Sequence, residues 1–134
     1  PETGNRKGLK LVMFDISDSA DLKTIDSLTL KNYSFSSALY DYKCILADAS
    51  KNMIGFTAEY DYITDDCYMD YNLFAWEDGH FVQKLKEPIR QEIISGTVRG
   101  LYINDIFYIA NSLNITSYDS KNGFQPLSQI DLAQ

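Results

Sequence analysis

Residues 71–87 read YNLFAWEDGHFVQKLKE, two apolar runs joined by the dipeptide Asp78-Gly79. Asp-Gly between apolar runs is among the strongest short-range signals for a β-hairpin, because both residues tolerate the positive φ angles of a tight turn. On either side of this hairpin, most apolar runs have the length of a strand and stop at clusters of turn-forming residues. The sequence therefore predicts an all-β fold of antiparallel hairpins.

Ten strands are predicted, as one hairpin followed by two sets of two hairpins. They cover residues 9–16, 22–30, 43–48, 53–60, 71–77, 80–87, 97–103, 106–110, 113–118 and 124–132. Residues 36–42 are mixed in character, and residues 61–70 are predicted to form a loop. Within residues 19–30 a helical turn is the alternative, because Leu22, Ile25 and Leu28 recur at a spacing of three.

An internal repeat links the beginning and the end of the chain. Apolar residues follow spacings of 3, 3 and 2 within residues 22–30, and the same spacings recur 102 positions later within residues 124–132. Each of the strands 9–16, 71–77 and 113–118 runs to an aromatic residue followed by an acid: Phe14-Asp15, Trp76-Glu77 and Tyr118-Asp119. Two units in 102 residues give about 51 residues per unit, which suits the blades of a β-propeller.

We therefore predict antiparallel four-stranded propeller-type blades, about two and a half of them, in an incomplete propeller. Residues 1–8 form a flexible lead-in, and residues 9–134 form a single all-β domain. Within this domain, residues 9–30 form a half-blade hairpin, and residues 36–89 and 97–132 form one blade each. Because closed propellers need at least four blades, such a chain has exposed edge strands that could pair with a second copy.

Three segments resemble a known family. Residues 8–18, GLKLVMFDISD, resemble its segment GLKLSLFDVSD; residues 38–43, ALYDYK, resemble ALYDHK; and residues 97–105, TVRGLYIND, resemble VKRSLYIGD. The family is the C-terminal β-propeller domain family of bacterial and archaeal secreted proteins, a distant relative of WD40-type propellers. The resemblance covers almost the whole chain and implies an extracytoplasmic, secreted or cell-surface protein of which this chain is the C-terminal portion. The sequence departs from the family at Tyr42, where His is frequent, and at Gly100, where the family has Ser.

Charge and composition exclude several classes of protein. The formal net charge is −7, so nucleic acids and anionic membrane surfaces would be repelled. No run of about 18 apolar residues is present, which excludes a transmembrane helix. Only two cysteines occur, Cys44 in an apolar run and Cys67 in a polar segment, and a disulfide between them is one of two possibilities.

The residue types that carry catalysis are scarce. The single histidine, His80, lies beside a predicted turn, and the sequence holds neither a G-x-S-x-G nucleophile elbow nor a glycine-rich phosphate loop. The sequence therefore predicts no catalytic residues, no metal site with cysteine and histidine ligands, and no cofactor. Part of an extracellular hydrolase that acts on glycans through paired carboxylates is the alternative.

The most distinctive local feature is an acidic, tyrosine-rich segment without a basic residue, within residues 59–71. Tyrosines beside acids suit a protein or carbohydrate partner. Carboxylates in one loop could instead hold Ca²⁺, or the segment could be a solvated loop. The predicted ligand or partner surface consists of Glu59, Tyr60, Asp61, Tyr62, Asp65, Asp66, Tyr68 and Asp70. The leading hypothesis is a non-enzymatic binding or scaffold module at or outside the cell surface.

Overall fold

The structure, a computed structural model, describes residues 8–64, 67–90 and 97–132, and describes no side chain from residue 61 to residue 67. The described chain has eleven strands and two single-turn 3-10 helices. In chain order the strands are β1 (Leu9–Asp15), β2 (Lys23–Leu30), β3 (Tyr33–Phe35), β4 (Leu46–Asp48), β5 (Met53–Thr64), β6 (Cys67–Glu77), β7 (His80–Arg90), β8 (Arg99–Ile103), β9 (Ile106–Ala110), β10 (Asn114–Asp119) and β11 (Gln125–Asp131). The 3-10 helices Ser37–Leu39 and Tyr42–Cys44 lie between β3 and β4. In the described residues, no helix is long and apolar enough to cross a membrane.

The strands form three antiparallel sheets, which we call the first, middle and last blades. The first blade consists of β1 and β2. In the middle blade β5, β6 and β7 pair in sequence order, and both β3 and β4 pair with the other edge of β5. The last blade has the order β8-β9-β10-β11. The predicted all-β fold of antiparallel blades is therefore confirmed. In the described chain the first blade has two strands, the middle blade five and the last blade four.

Tight turns with left-handed residues join the paired strands. Asp78 and Gly79 have φ angles of 51° and 80°, so the predicted Asp-Gly hairpin is confirmed. Asn52 and Asn104 have φ angles of 55° and 56° just before β5 and β9. Asn adopts this conformation more readily than most residues, because its short polar side chain bonds to nearby backbone groups.

The first strand of the middle blade is interrupted. Tyr33 pairs opposite Tyr60 and Leu46 opposite Gly55, so β3 and β4 lie along the same edge of β5. Between them the two 3-10 helices bulge out of the sheet. Each begins at a polar cap, where a Ser36 or Asp41 side chain accepts a hydrogen bond from the backbone two residues later.

The strand predicted at residues 22–30 is confirmed as β2, so the helical turn considered as its alternative does not form. Elsewhere the structure differs from the expectation. The described part of the predicted loop 61–70 is wrong, because residues 61–64 continue β5 and residues 67–70 belong to β6. The short strand β3 was not expected, since its three residues lie between turn-forming neighbours.

The repeat between residues 22–30 and 124–132 has a structural counterpart. In the β1–β2 pair the register shifts so that Ile25 has no partner, and in the β10–β11 pair Leu127 is skipped in the same way. These two β-bulge residues are 102 positions apart, the spacing of the sequence repeat. A third bulge skips Lys84 between β6 and β7. The last two strands of each blade, β1–β2, β6–β7 and β10–β11, form what we call its outer hairpin, and each outer hairpin contains a β-bulge in its second strand.

Two apolar clusters separate the blades. One lies between the first and middle blades, and its buried members are Leu9, Tyr33, Phe56, Ala58 and Phe74. The other lies between the middle and last blades, and its buried members are Met69, Tyr71, Leu73, Ile89, Val98, Phe107, Ile109, Tyr118 and Phe124. The middle blade is thus packed between two neighbours, as in stacked propeller blades, and its β6 is buried from Met69 to Ala75, although a cleft lined by Phe74, Trp76 and Phe81 stays open beside β1. Cys44 is a buried free thiol, so it forms no disulfide.

Candidate functional site

One end of the middle blade extends beyond its neighbour. The strands β5 and β6 have 12 and 11 residues, whereas their counterparts β9 and β10 in the last blade have 5 and 6. The link between β9 and β10 is only residues 111–113, so the middle blade carries additional residues at this point of the repeat. We call residues 59–70, with residues 86–90 of β7 beside them, the projecting end.

A buried carboxylate organises one face of the projecting end. Asp70 is 1% exposed, and its Oδ2 accepts a hydrogen bond of 2.5 Å from the Tyr33 hydroxyl and another from the Tyr60 hydroxyl. Lys86 Nζ lies 3.7 Å from the same oxygen. Burial first, and then the bond to the Asp70 carboxylate, raise the pKa of Tyr33 well above its ordinary value, which keeps its proton in place as a donor.

Lys86 covers the two tyrosine rings. Its Nζ lies 5.9 Å from the centroid of the Tyr33 ring and 5.9 Å from that of the Tyr60 ring, and the two centroids are 4.9 Å apart. These distances suit a cation–π contact on each ring. The Lys86 side chain is 47% exposed, whereas the Asp70 side chain is 1% exposed. The cluster therefore keeps its carboxylate inside the blade and presents the positive charge of Lys86 to the solvent.

A buried amide extends this cluster toward the middle of the blade. Asn72 is fully buried, and its Oδ1 accepts a hydrogen bond of 2.8 Å from Gln83 Nε2. The Tyr33 hydroxyl lies 3.5 Å from the same oxygen. Polar groups in such an interior need partners, and these contacts fix β3, β6 and β7 relative to one another.

The face of the projecting end opposite the Tyr33–Tyr60–Asp70 cluster is directed toward the last blade. Glu59 is half-buried there, and burial raises the pKa of its carboxyl. Tyr68 packs against the apolar cluster between the middle and last blades, and burial together with the Glu59 charge raises the pKa of its hydroxyl. Farther along this face, burial raises the pKa of Glu87, while a hydrogen bond from Tyr118 partly opposes that rise.

The predicted site residues do not form one surface. Some lie on each of the two faces of the projecting end, and the side chains of the others are not described. Tyr60 and Asp70 are in direct contact, whereas Glu59 and Tyr68 lie on the other face. The backbone of Asp61 and Tyr62 belongs to β5, and their side chains lie outside the description, as do Asp65 and Asp66 altogether.

Sequence reasoning missed Tyr33 and Lys86. For Lys86, counting back from the Asp78-Gly79 turn places Leu85 opposite Asn72, and only the bulge at Lys84 brings Lys86 to that position. For Tyr33 no local signal existed, since its contact with Asp70 joins residues 37 positions apart.

The described side chains do not form a catalytic or metal-binding arrangement that we recognise. His80 is 74% exposed and lies 3.7 Å from Asp26, at the turn between β6 and β7. Among the described residues, no group of three or more His, Cys, Asp or Glu side chains could hold a metal ion. The calcium hypothesis depends on Asp61, Asp65 and Asp66, so it stays a prediction. What the described part of the site offers is a hairpin end with acidic and aromatic side chains and two basic ones, Lys86 and Arg90.

Comparison with known proteins agrees with the blade architecture. No curated protein and no solved structure shows significant similarity to the chain. A family model described as "Beta propeller domain" matches residues 1–123. This match covers most of the chain and includes all three blades up to the turn before β11. The chain therefore belongs to the beta propeller domain family, whose fold generally serves as a binding or scaffold module.

Proposed function

We propose that this chain is a non-enzymatic binding module at or outside the cell surface, and that the projecting end of the middle blade contacts the partner. The observation that carries the proposal is the additional length of β5, β6 and β7 at this point of the repeat. Additional residues at one point of a repeated unit are typical of binding surfaces, because they are not needed to stack the blades.

The structure of this end supports recognition by a preformed surface. The bonds from Tyr33 and Tyr60 to Asp70, together with Lys86, hold the two rings in place without a ligand. The Tyr33 ring is only 4% exposed, so this cluster supports the projecting end from within and holds its backbone in place, which lowers the conformational entropy that binding costs. We therefore expect the surface to bind largely as it stands.

Charge indicates the chemistry of the partner. Residues 59–71 hold five acids and no basic residue, in a chain with a formal net charge of −7. Asp70 is buried beside Lys86, so the other four acids are the ones that favour a polypeptide with exposed Lys or Arg side chains, through charge steering and through a cation–π contact with Tyr68. The resemblance to secreted propeller proteins supports a location outside the cytoplasm.

Binding of a basic peptide tests this proposal. A 12-residue peptide rich in Arg and Lys is titrated against the protein by calorimetry, beside a peptide of the same length rich in Glu. We expect the basic peptide to bind in low salt and the acidic one not to bind. Tyr68→Ala and Glu59→Gln should each weaken binding severalfold while the far-ultraviolet circular dichroism spectrum stays unchanged.

The matched control is Tyr42→Ala, because Tyr42 is a 78% exposed tyrosine in a 3-10 helix outside the projecting end. It should leave the affinity unchanged. Equal losses in Tyr42→Ala and Tyr68→Ala would show that the peptide binds by charge alone and would contradict the site. Turnover of a glycan that Glu59→Gln abolishes would contradict the non-enzymatic assignment.

A further inference from the structure

A polar cleft lies between β7 of the middle blade and the last blade. Its volume is about 360 Å³, at the lower end of the range for ligand pockets. Residues 87–90 form one wall, and residues of β9, β10 and β11 form the other. The most buried lining residues are Ile89, Ile109 and Tyr118, which are 4%, 2% and 2% exposed. The cleft therefore combines a largely apolar floor with polar walls.

The cleft lies on the face of the projecting end that carries Glu59. Met69 of β6 pairs with Glu59 on one side and with Ile89 on the other, and residues paired in this way lie on the same face of a sheet. Two strand spacings, roughly 10 Å, therefore separate Glu59 from Ile89. An extended polypeptide spans this distance with about three residues, so one partner can reach both places.

Among the described residues, Glu87 has no cation partner for its half-buried carboxyl, although it lines this cleft. Arg90 lines the cleft as well, but it is exposed and forms no ion pair with Glu87 in the described chain. Burial raises the pKa of Glu87, a hydrogen bond from Tyr118 opposes that rise, and the charge of Asp70 adds to it. The carboxyl has thus lost hydration without gaining a counter-charge, and a bound cation would supply one.

The wall formed by the last blade adds neutral oxygen atoms. Thr116 of β10 pairs opposite Gln129 of β11, and both line the cleft. Thr116 Oγ1 donates a hydrogen bond of 3.2 Å to Gln129 Oε1, and Gln129 Nε2 donates one of 2.9 Å to Asp131 Oδ1. These bonds use the Thr116 proton and leave a lone pair on each of the two oxygens. The acceptors are therefore held in place before any ligand binds.

A guanidinium group fits these acceptors better than an ammonium group does. It carries five N–H donors in a planar fork, which can engage both oxygens of a carboxylate and a neighbouring hydroxyl or amide oxygen. It is also more weakly hydrated than an ammonium group, so it enters a cleft with an apolar floor at lower cost. The methylene stem of an arginine can then lie against Pro88 and Ile89, which line the same wall.

We infer that this cleft binds one arginine side chain of the basic polypeptide, with Glu87 as the residue that holds the guanidinium group. The inference rests on the proposed function and deepens it by naming the side chain that is recognised. The exposed acids of the projecting end attract the polypeptide by charge. The cleft then selects arginine over lysine.

A titration with small cations tests the cleft without a polypeptide. Methylguanidinium chloride is added to the protein, and the carboxyl carbon of Glu87 is followed by carbon-13 NMR over a range of pH. Methylammonium chloride at the same concentration is the control for charge, and Glu87→Gln identifies the signal. We expect methylguanidinium to lower the pKa of Glu87 and methylammonium to lower it clearly less, because only the guanidinium group can form the bidentate contact.

Two basic peptides of equal length and charge test the selectivity. One carries only Arg and the other only Lys as cations, and calorimetry measures the affinity of each. We expect the Arg peptide to bind about fivefold more tightly to the parent protein. Glu87→Gln should make the two affinities equal, whereas Arg90→Gln, which changes a charge in the same cleft without removing an acceptor, should keep the preference. The ratio of the two affinities is insensitive to the change in net charge that each variant brings.

Failure of the arginine pocket and failure of the proposed function give different results. If both peptides bind equally to the parent protein, or if Glu87→Gln keeps the preference, the pocket is overturned and the proposed function stands. If neither peptide binds, the proposed function is overturned, and the titration with small cations decides the pocket. An unshifted pKa of Glu87, or equal shifts with the two cations, then overturns it, and a shift with methylguanidinium alone supports it.

Discussion

Tyr71 of the middle blade packs against the last blade. It is fully buried, and its ring lies against Phe107 of the last blade. A Cβ atom at Gly55 would lie 2.5 Å from the Tyr71 hydroxyl, and a Cβ atom at Gly100 would lie 2.0 Å from it. Both glycines are therefore needed because a large buried side chain passes directly over their backbone.

Gly100→Ala should destabilise the protein by about 2–3 kcal/mol, since the new methyl group overlaps a side chain that is packed on all sides. The free energy of unfolding in urea measures this loss. Replacing Tyr71 with Leu at the same time removes the obstacle, so the double variant should lose less than the sum of the two single variants. Additive losses would show that Tyr71 does not cause the requirement for glycine at position 100.

The contact between Tyr71 and Gly100 could not be predicted from a local sequence pattern. Gly100 was noticed in the sequence only as a departure from the serine of the related segment. That a tyrosine from another blade occupies the space depends on how two sheets stack, and no local pattern carries that information. The same applies to Tyr33, whose phenol reaches Asp70 from a strand too short to be recognised.

At the scale of elements, hairpins joined by two-residue turns were predictable because the turn chemistry is local. Asp78 and Gly79 both adopt positive φ angles, which only a few residue types tolerate. The longer strands β5 and β6 were not predictable in the same way. The four Asp of residues 61–70 disfavour a strand although their Tyr, Ile and Thr neighbours favour one, and pairing between β5, β6 and β7 extends the sheet as far as Thr64 and Cys67.

The turn between β6 and β7 offers a test of this local control. Gly79 has a φ angle of 80° and open space around its Cβ position, so only backbone conformation opposes a side chain there. Gly79→Val should cost about 1–2 kcal/mol, because a β-branched residue is strained at positive φ. Gly79→Asn should cost clearly less, since Asn tolerates this region.

Thermal unfolding of the two Gly79 variants beside the parent protein measures the difference. Equal melting temperatures for the Val and Asn variants would contradict the assignment of the cost to backbone strain, because both side chains enter the same open space.

At the scale of the whole molecule, the repeat made the blade architecture predictable, since each blade reuses the same outer hairpin with the same kind of bulge. Which blade face is covered, and by what, required the structure. The last blade has four strands beside one face of the middle blade, whereas the first blade contributes only two strands and leaves part of the other face uncovered. In the described chain, β1 therefore pairs with β2 alone.

The acidic groups of the molecule divide into two sets with opposite effects on stability. Burial raises the pKa of Glu59 and of Glu87 above the ordinary 4.5, so their folded forms bind protons that the unfolded chain does not. Hydrogen bonds or charge partners in turns lower the pKa of Asp15, Asp48 and Asp105 below 3.8. The first set makes the folded state more stable as pH falls toward 4.5, and the second makes it less stable as pH falls below 3.8.

We therefore expect the free energy of unfolding to rise as pH is lowered from 7 toward about 4.5 and to fall below about 3.8. Relief of repulsion within a chain of net charge −7 contributes to the same rise, so a matched variant is needed. In Glu59→Gln/Glu87→Gln the two raised carboxyls no longer titrate, and the slope between pH 7 and 4.5 should decrease while the loss below pH 3.8 remains. Urea unfolding at half-unit pH steps measures both slopes. Identical slopes in the parent and the double variant would show that burial of these two carboxyls on the face toward the last blade does not control the acid response.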